Sequence, residues 1–260
     1  MFSSSECVYA STHQARSIIP QRASNERHRW LTGTASLHAE NELSVIEFDE
    51  DQNALHLMKN YSHPDQIWCM ESSANDPSLV VTSHQSKFGG HGVTLFRMPG
   101  QSASDLEEDS GGNEPSVASV KEDLEEVVRV KEKTSSKSCV NSIRWHHQND
   151  SLLTAGNEIT VHQIAESEVV DTFELNTGAA NDSDNDTVFK SAADSYAVAT
   201  WDPHSNDMCA AARGKNLHFF DTRTCAITCT VQAHSNSIRD VGKSKSKIEG
   251  FASLYYCHLM

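Results

Sequence analysis

The residues most able to do chemistry in this chain are its fourteen histidines and seven cysteines. A metal site would need them at recurrent spacings, such as Cys-x-x-Cys or His-Glu-x-x-His. Neither spacing occurs. His146 and His147 are adjacent, so a strand would send them to opposite faces and a turn would leave both in solvent. His84 and His91 flank the glycine-rich KFGGHG, which is hairpin-turn chemistry. Cys225 and Cys229 stand four apart, which on a strand is one face. They read as packed free thiols in preference to a redox pair. A nucleophile elbow, a P-loop and a dinucleotide fingerprint are all missing, and nothing arranges the serines, histidines and aspartates. The sequence thus expects no catalytic residue, no metal, no cofactor and no enzyme.

Bulk composition narrows the partners. The formal charge is -15, which argues against nucleic acid. Much of it is local, since residues 101–133 hold ten acids against four bases. The odd cysteine count, the irregular spacings and the lack of a signal peptide read as reduced thiols in an intracellular compartment. No apolar run reaches the roughly 18–20 residues of a membrane span. Sequons at Asn60, Asn181 and Asn185 would go unused there.

The elements that position these residues are short strands in a repeated order. In CVNSIRWHHQNDSLLTAGNEITVHQI, strands are predicted at 140–145, 152–155 and 159–164, and EVVDTFEL supplies a fourth at 168–175. The stretch 195–231 repeats the order, with strands at 196–201, 208–212, 217–221 and 225–231. Trp145 and Trp201 close equivalent first strands and are expected to pack in the core. A looser copy runs from Gln66 to Pro99, and a weaker one lies before it. Residues 117–133 fit either an amphipathic helix or the missing fourth strand of the second unit, with repeat order favouring the strand. An acidic, disordered insertion is expected over 100–116, where Ser102, Ser104 and Ser110 neighbour acids and would suit phosphorylation or partner binding. A second polar loop is expected over 176–187.

Four-stranded units of about 40–45 residues resemble WD repeats, and so imply an all-β partial propeller of about four blades. Phe220-Asp221 stands where such repeats place Trp-Asp, and His234 in QAHSNSIRDV takes the histidine position, with Ile238 opening the next first strand. No unit has a true Trp-Asp or Gly-His pair at the repeat positions, so the usual side-chain network is expected to be incomplete. QARSIIPQ, RWLTGTASLHAENELSVIEFDE, HPDQIWCMESSANDPSLVVT, VTLFRMP, FFDTRT and AHSNSIRDV occur in that order. Together they resemble the WD-repeat family of EARP and GARP complex-interacting proteins, also called tumour-suppressing subtransferable candidates. The resemblance covers residues 7–241, with blades at 7–60, 61–131, 137–175 and 187–231 and the start of another at 232–241. It implies a cytoplasmic adaptor for endosomal tethering complexes in endosome-to-Golgi retrograde transport and recycling, peripheral at endosomes or the trans-Golgi network.

The resemblance also implies a ring of about seven blades, so the sequence is expected to hold the N-terminal part of one. Residues 242–260 are expected to be an unrelated tail, as from a lost splice junction. Their last four residues, Cys257-His-Leu-Met, follow three lysines and fit a prenylation box apart from the non-aliphatic His258. FFDTR is similar to the Trp-Asp-x-Arg box that docks some WD-repeat proteins onto a cullin-RING ligase adaptor, with Asp221 ordering the turn and Arg223 offering the fork. The bland reading is that both residues only satisfy the turn. Three functions thus stay open: tethering adaptor, ligase substrate receptor, and non-functional splice product.

Overall fold

The computed structural model describes residues 7–11, 13–24, 27–85, 90–101, 121–130, 140–148, 151–165, 168–175, 196–243 and 255–258. They fall into two compact units, 1–137 and 138–260. Every regular element among the described residues is a strand.

The first unit opens with β1 (Ala15–Pro20), β2 (His28–Thr34), β3 (Asn41–Asp49) and β4 (Ala54–His63), an antiparallel meander. The β3–β4 turn is set by local chemistry. The Asp49 carboxylate accepts the backbone N–H groups of Asp51 and Gln52, and Asn53 takes a left-handed φ of 49°. Leu31 lies opposite Val45, and Leu43 opposite Tyr61, so the two-residue period sends all four to one face. The second sheet is β5 (Gln66–Ser72), β6 (Leu79–Gln85), β7 (His91–Arg97) and, beyond the short β8 (Glu122–Asp123), β9 (Glu125–Val130). Its Ile67, Met70, Val80, Phe96 and Met98 pack against that face to form the core of the unit.

Residues 121–130 were open between helix and strand. The structure makes β9 the fourth strand of the second sheet, antiparallel to β7. It also divides the stretch, because β8 pairs in parallel with Tyr61 and Ser62 of β4 in the first sheet. The expected insertion falls outside the described residues apart from its first two, Gly100 and Gln101, as does the loop 176–187.

The two sheets approach closely at Gly33. A Cβ there would lie 2.8 Å from Ile67 Cγ2 and 2.9 Å from Met70 Sδ. Gly33→Ala is therefore expected to cost about 1–3 kcal/mol by overpacking. Urea unfolding of parent and variant measures it, and equal stability would refute the close approach.

The second unit carries two four-stranded meanders. The first is β10 (Ser142–Trp145), β11 (Ser151–Ala155), β12 (Ile159–Ala165) and β13 (Glu168–Glu174). The second is β14 (Ala197–Trp201), β15 (Met208–Arg213), β16 (Asn216–Asp221) and β17 (Ala226–Gln232). Most strands lie within two residues of their predicted bounds, because polar turns punctuate each one. In DPHSND the Asp202 carboxylate accepts the His204 N–H, and in RGKN Gly214 supplies a φ of 56°.

Strands β14, β15 and β16 of the second meander are buried on both faces. Ala197, Ala199, Trp201, Cys209, Ala211 and Phe220 meet Leu153, Ala155, Ile159, Val161 and Leu175 of the neighbouring sheet. Val198, Ala210, Ala212 and Leu217 meet Ile238 and Val241 on the other side. Short alanines on both faces of β15 let its neighbours come close. Ile238 lies just ahead of β18 (Asp240–Lys243), two residues before the strand it was expected to open. Within residues 242–260, Tyr255–His258 form β19, antiparallel to β18.

Candidate interaction site

The residues singled out for partner binding sit at the corner between β16 and β17. Asp221 ends β16, and its Oδ1 accepts the backbone N–H of Arg223 at 2.9 Å. The Arg223 guanidinium donates to both carboxylate oxygens, at 3.3 and 3.0 Å, and lies 3.6 Å from Asp207. These bonds hold the Asp221 carboxyl below the usual carboxylate range. Arg223 is exposed, but its Nε and Nη2 are turned back on its own corner. Phe220, by contrast, is fully buried in the inter-sheet core. His234 is half-buried, and its ring accepts the Asn236 N–H at 3.5 Å.

Trp201 ties two sheets together. Its indole N–H donates to the Arg144 carbonyl at 2.9 Å, and the ring of His146 meets it edge-on at 4.8 Å. Ser142 Oγ adds a second tie, donating to the Ala199 carbonyl at 3.0 Å. Trp145 is equally buried on β10, where it lies opposite Leu152.

Two readings of chemistry-bearing residues need correction. His146 does not face solvent; it is 3% exposed beneath Trp201, and only His147 reaches out, to Asn206 at 2.7 Å. Cys225 and Cys229 do not share a strand face. Cys225 precedes β17 with φ 53°, and a bulge opposite Phe219 and Phe220 separates the two. Cys225 packs on the core that holds Cys209, whose thiol burial pushes up to about 12, while Cys229 is exposed. Among the described residues no cluster of histidine, cysteine, aspartate or glutamate could hold a metal.

A side-chain network in the first unit escaped the sequence reading. His63 ends β4, 2% exposed between the two sheets. Its Nδ1 lies 2.7 Å from the Asp65 carbonyl and its Nε2 3.0 Å from Thr82 Oγ1. Phe96 packs edge-on at 5.2 Å. His84 lies beside it on β6, with Nε2 3.7 Å from the Asp65 carboxylate. The network expected to be incomplete is thus partly built here, with phenylalanine in the aromatic place. The signal lay in His63-Pro64, a histidine at the mouth of a strand, with Thr82 and Phe96 on the second and third strands that follow.

These arrangements hold sheets together. In each unit four-stranded antiparallel arrays pack face against face, and a family model settles what they are. Residues 3–254 match the model described as the EIPR1 beta-propeller. The chain belongs to that family. Several relatives are similar to it at low identity. The EARP and GARP complex-interacting protein 1 of Macaca fascicularis is 26% identical over 248 residues, covering 92% of this chain and 60% of that protein. The Homo sapiens protein of the same name is 25% identical with the same coverage. The WD repeat-containing protein DWA2 of Arabidopsis thaliana is 25% identical over 223 residues, covering 85% of this chain and 56% of that protein. The chain spans about three fifths of the length of the curated relatives it matches. The fold is therefore an all-β propeller domain of WD-repeat type, in a family of interaction proteins. No helix among the described residues is long and apolar enough to cross a membrane.

Proposed function

We propose that this chain acts as a protein-interaction scaffold toward the EARP and GARP tethering complexes, peripheral at endosomes or the trans-Golgi network, in retrograde transport and recycling. One observation carries the reading. The EIPR1 propeller model matches residues 3–254, and the relatives named for binding those complexes align over 92% of the chain. The geometry is compatible with it at the residues singled out above. Phe220 and Trp201 are core residues, and Asp221 holds Arg223 within its own corner. The interaction is expected to use exposed surface. Affinity purification of the tagged chain from its own cells, followed by mass spectrometry, tests the proposal. Recovery of tethering-complex subunits is the expected result. Their absence, when a folded chain is recovered in quantity, would overturn it.

A further inference from the structure

The first sheet has a second face. Thr32, Ser44 and Ile46 alternate with the core residues Leu31, Leu43 and Val45, so they point away from the second sheet. They are buried all the same. The N-terminal segment lies on this face, where the Tyr9 hydroxyl is hydrogen-bonded to Ser44. Ser44 Oγ donates to Asn60 Oδ1 at 3.1 Å, and Asn60 Nδ2 donates to Glu42 Oε2 at 2.9 Å. The Glu42 side chain is only 9% exposed, and its other oxygen serves two segments far apart in sequence. Lys121 Nζ lies 2.6 Å from Oε1, and His13 Nε2 lies 3.6 Å from it. Lys121 immediately precedes β8, which joins the first sheet beside β4 after residues 102–120. Burial would raise the Glu42 pKa, but the bonds from Lys121 and Asn60 and the charges nearby hold it below the usual carboxylate range.

We propose that the segment carrying Tyr9 and His13 is a strap latched to the first sheet by the Glu42 carboxylate, and that the same latch holds Lys121, so that the strap and β8 open as one unit. A carboxylate this buried needs its partners, and removing one leaves an uncompensated charge that draws in water. The partners come from both sides of the device. His13 touches Glu42 directly, Tyr9 reaches it through Ser44 and Asn60, and Lys121 meets it from the β8 side. β8 is two residues long and pairs in parallel, so it depends on side-chain ties. Its second tie, Lys59 Nζ to Glu122 at 2.9 Å, does not pass through Glu42. That separation lets the shared latch be distinguished from simple loosening of β8.

Two readouts on the full chain at pH 8 test it. Nitration of Tyr9 by tetranitromethane, followed by peptide mass, reports the strap, and amide exchange at Glu122 and Asp123 reports β8. Glu42→Gln is expected to speed both by about tenfold, the scale of one charge-assisted hydrogen bond. Lys121→Gln, which touches no residue of the strap, is expected to speed Tyr9 nitration as well, and Lys121→Arg to leave both rates near the parent's. Lys59→Met is expected to speed exchange in β8 alone. Tyr9 nitration unchanged in Glu42→Gln or Lys121→Gln, or raised by Lys59→Met, would overturn the proposal. So would a rise in nitration that comes only with lost exchange protection across β5, β6 and β7, because the whole unit would then have loosened.

Discussion

Acidification from neutral pH to about 4 is expected to destabilise the chain by about 3 kcal/mol through His63 alone. Burial lowers the pKa of His63 from its usual 6.5 to about 4, with a smaller push from the neighbouring His84 ring against the raising effect of the Asp65 carbonyl. The folded state therefore keeps the ring neutral where the unfolded chain protonates it. Between about 4 and 6.5 the unfolded state binds more protons, so stability falls with pH through that window and is flat above it. Groups facing the cluster are Asp65 and His84, with Arg129 and Glu126 acting on His84. His84, His91 and His218 are lowered as well, which adds slope of the same sign. His63→Gln removes the ionisation. It is expected to cost about 1–3 kcal/mol at neutral pH, because the Thr82 hydroxyl loses its ring partner. It should also flatten the acid limb. Urea unfolding at a series of pH values measures both, and parallel profiles for parent and variant would refute the assignment.

The same residue shows where sequence reading stops. Its neighbours in the chain look like a turn, and nothing local says that a histidine before a proline is enclosed by a second sheet. β4 carries a weak signal for a related reason. Its residues Ala54–Tyr61 are nearly all half-buried, so polar and apolar types mix without clean alternation. The meanders from Ser142 to Glu174 and from Ala197 to Gln232 were legible because the same order of short apolar strands recurs and most turns carry an aspartate, glycine or proline. For residues 121–130 the local pattern supported two periods, and pairing along β7 decided between them. Cys225 and Cys229 failed on one backbone event. A left-handed residue before the strand and a bulge within it undid the parity on which the reading relied.

Trp201→Ala is expected to cost about 3–5 kcal/mol, the range for truncating a large buried aromatic side chain. The ring is 8% exposed, and it lies in a core fed by both four-stranded sheets of its unit. Its removal leaves the Arg144 carbonyl without its indole donor and His146 without its edge contact. Two milder substitutions separate these contributions. Trp201→Phe keeps most of the packing and loses the hydrogen bond, at about 1 kcal/mol beyond the trimmed area. Trp145→Phe is the comparison, because the two tryptophans close equivalent strands. The indole N–H of Trp145 is buried and meets no acceptor among the described residues. Replacing it removes a polar group that had no partner, so the cost should be limited to the lost area. Denaturant unfolding of the two phenylalanine variants should therefore show Trp201→Phe as the more damaging. Equal costs would mean that the Arg144 carbonyl bond contributes nothing. The repeat places both residues at one position in its pattern, yet only at Trp201 does the indole N–H meet the backbone of the next sheet. The stability of this propeller domain thus depends on a hydrogen bond that the repeat permits but does not specify.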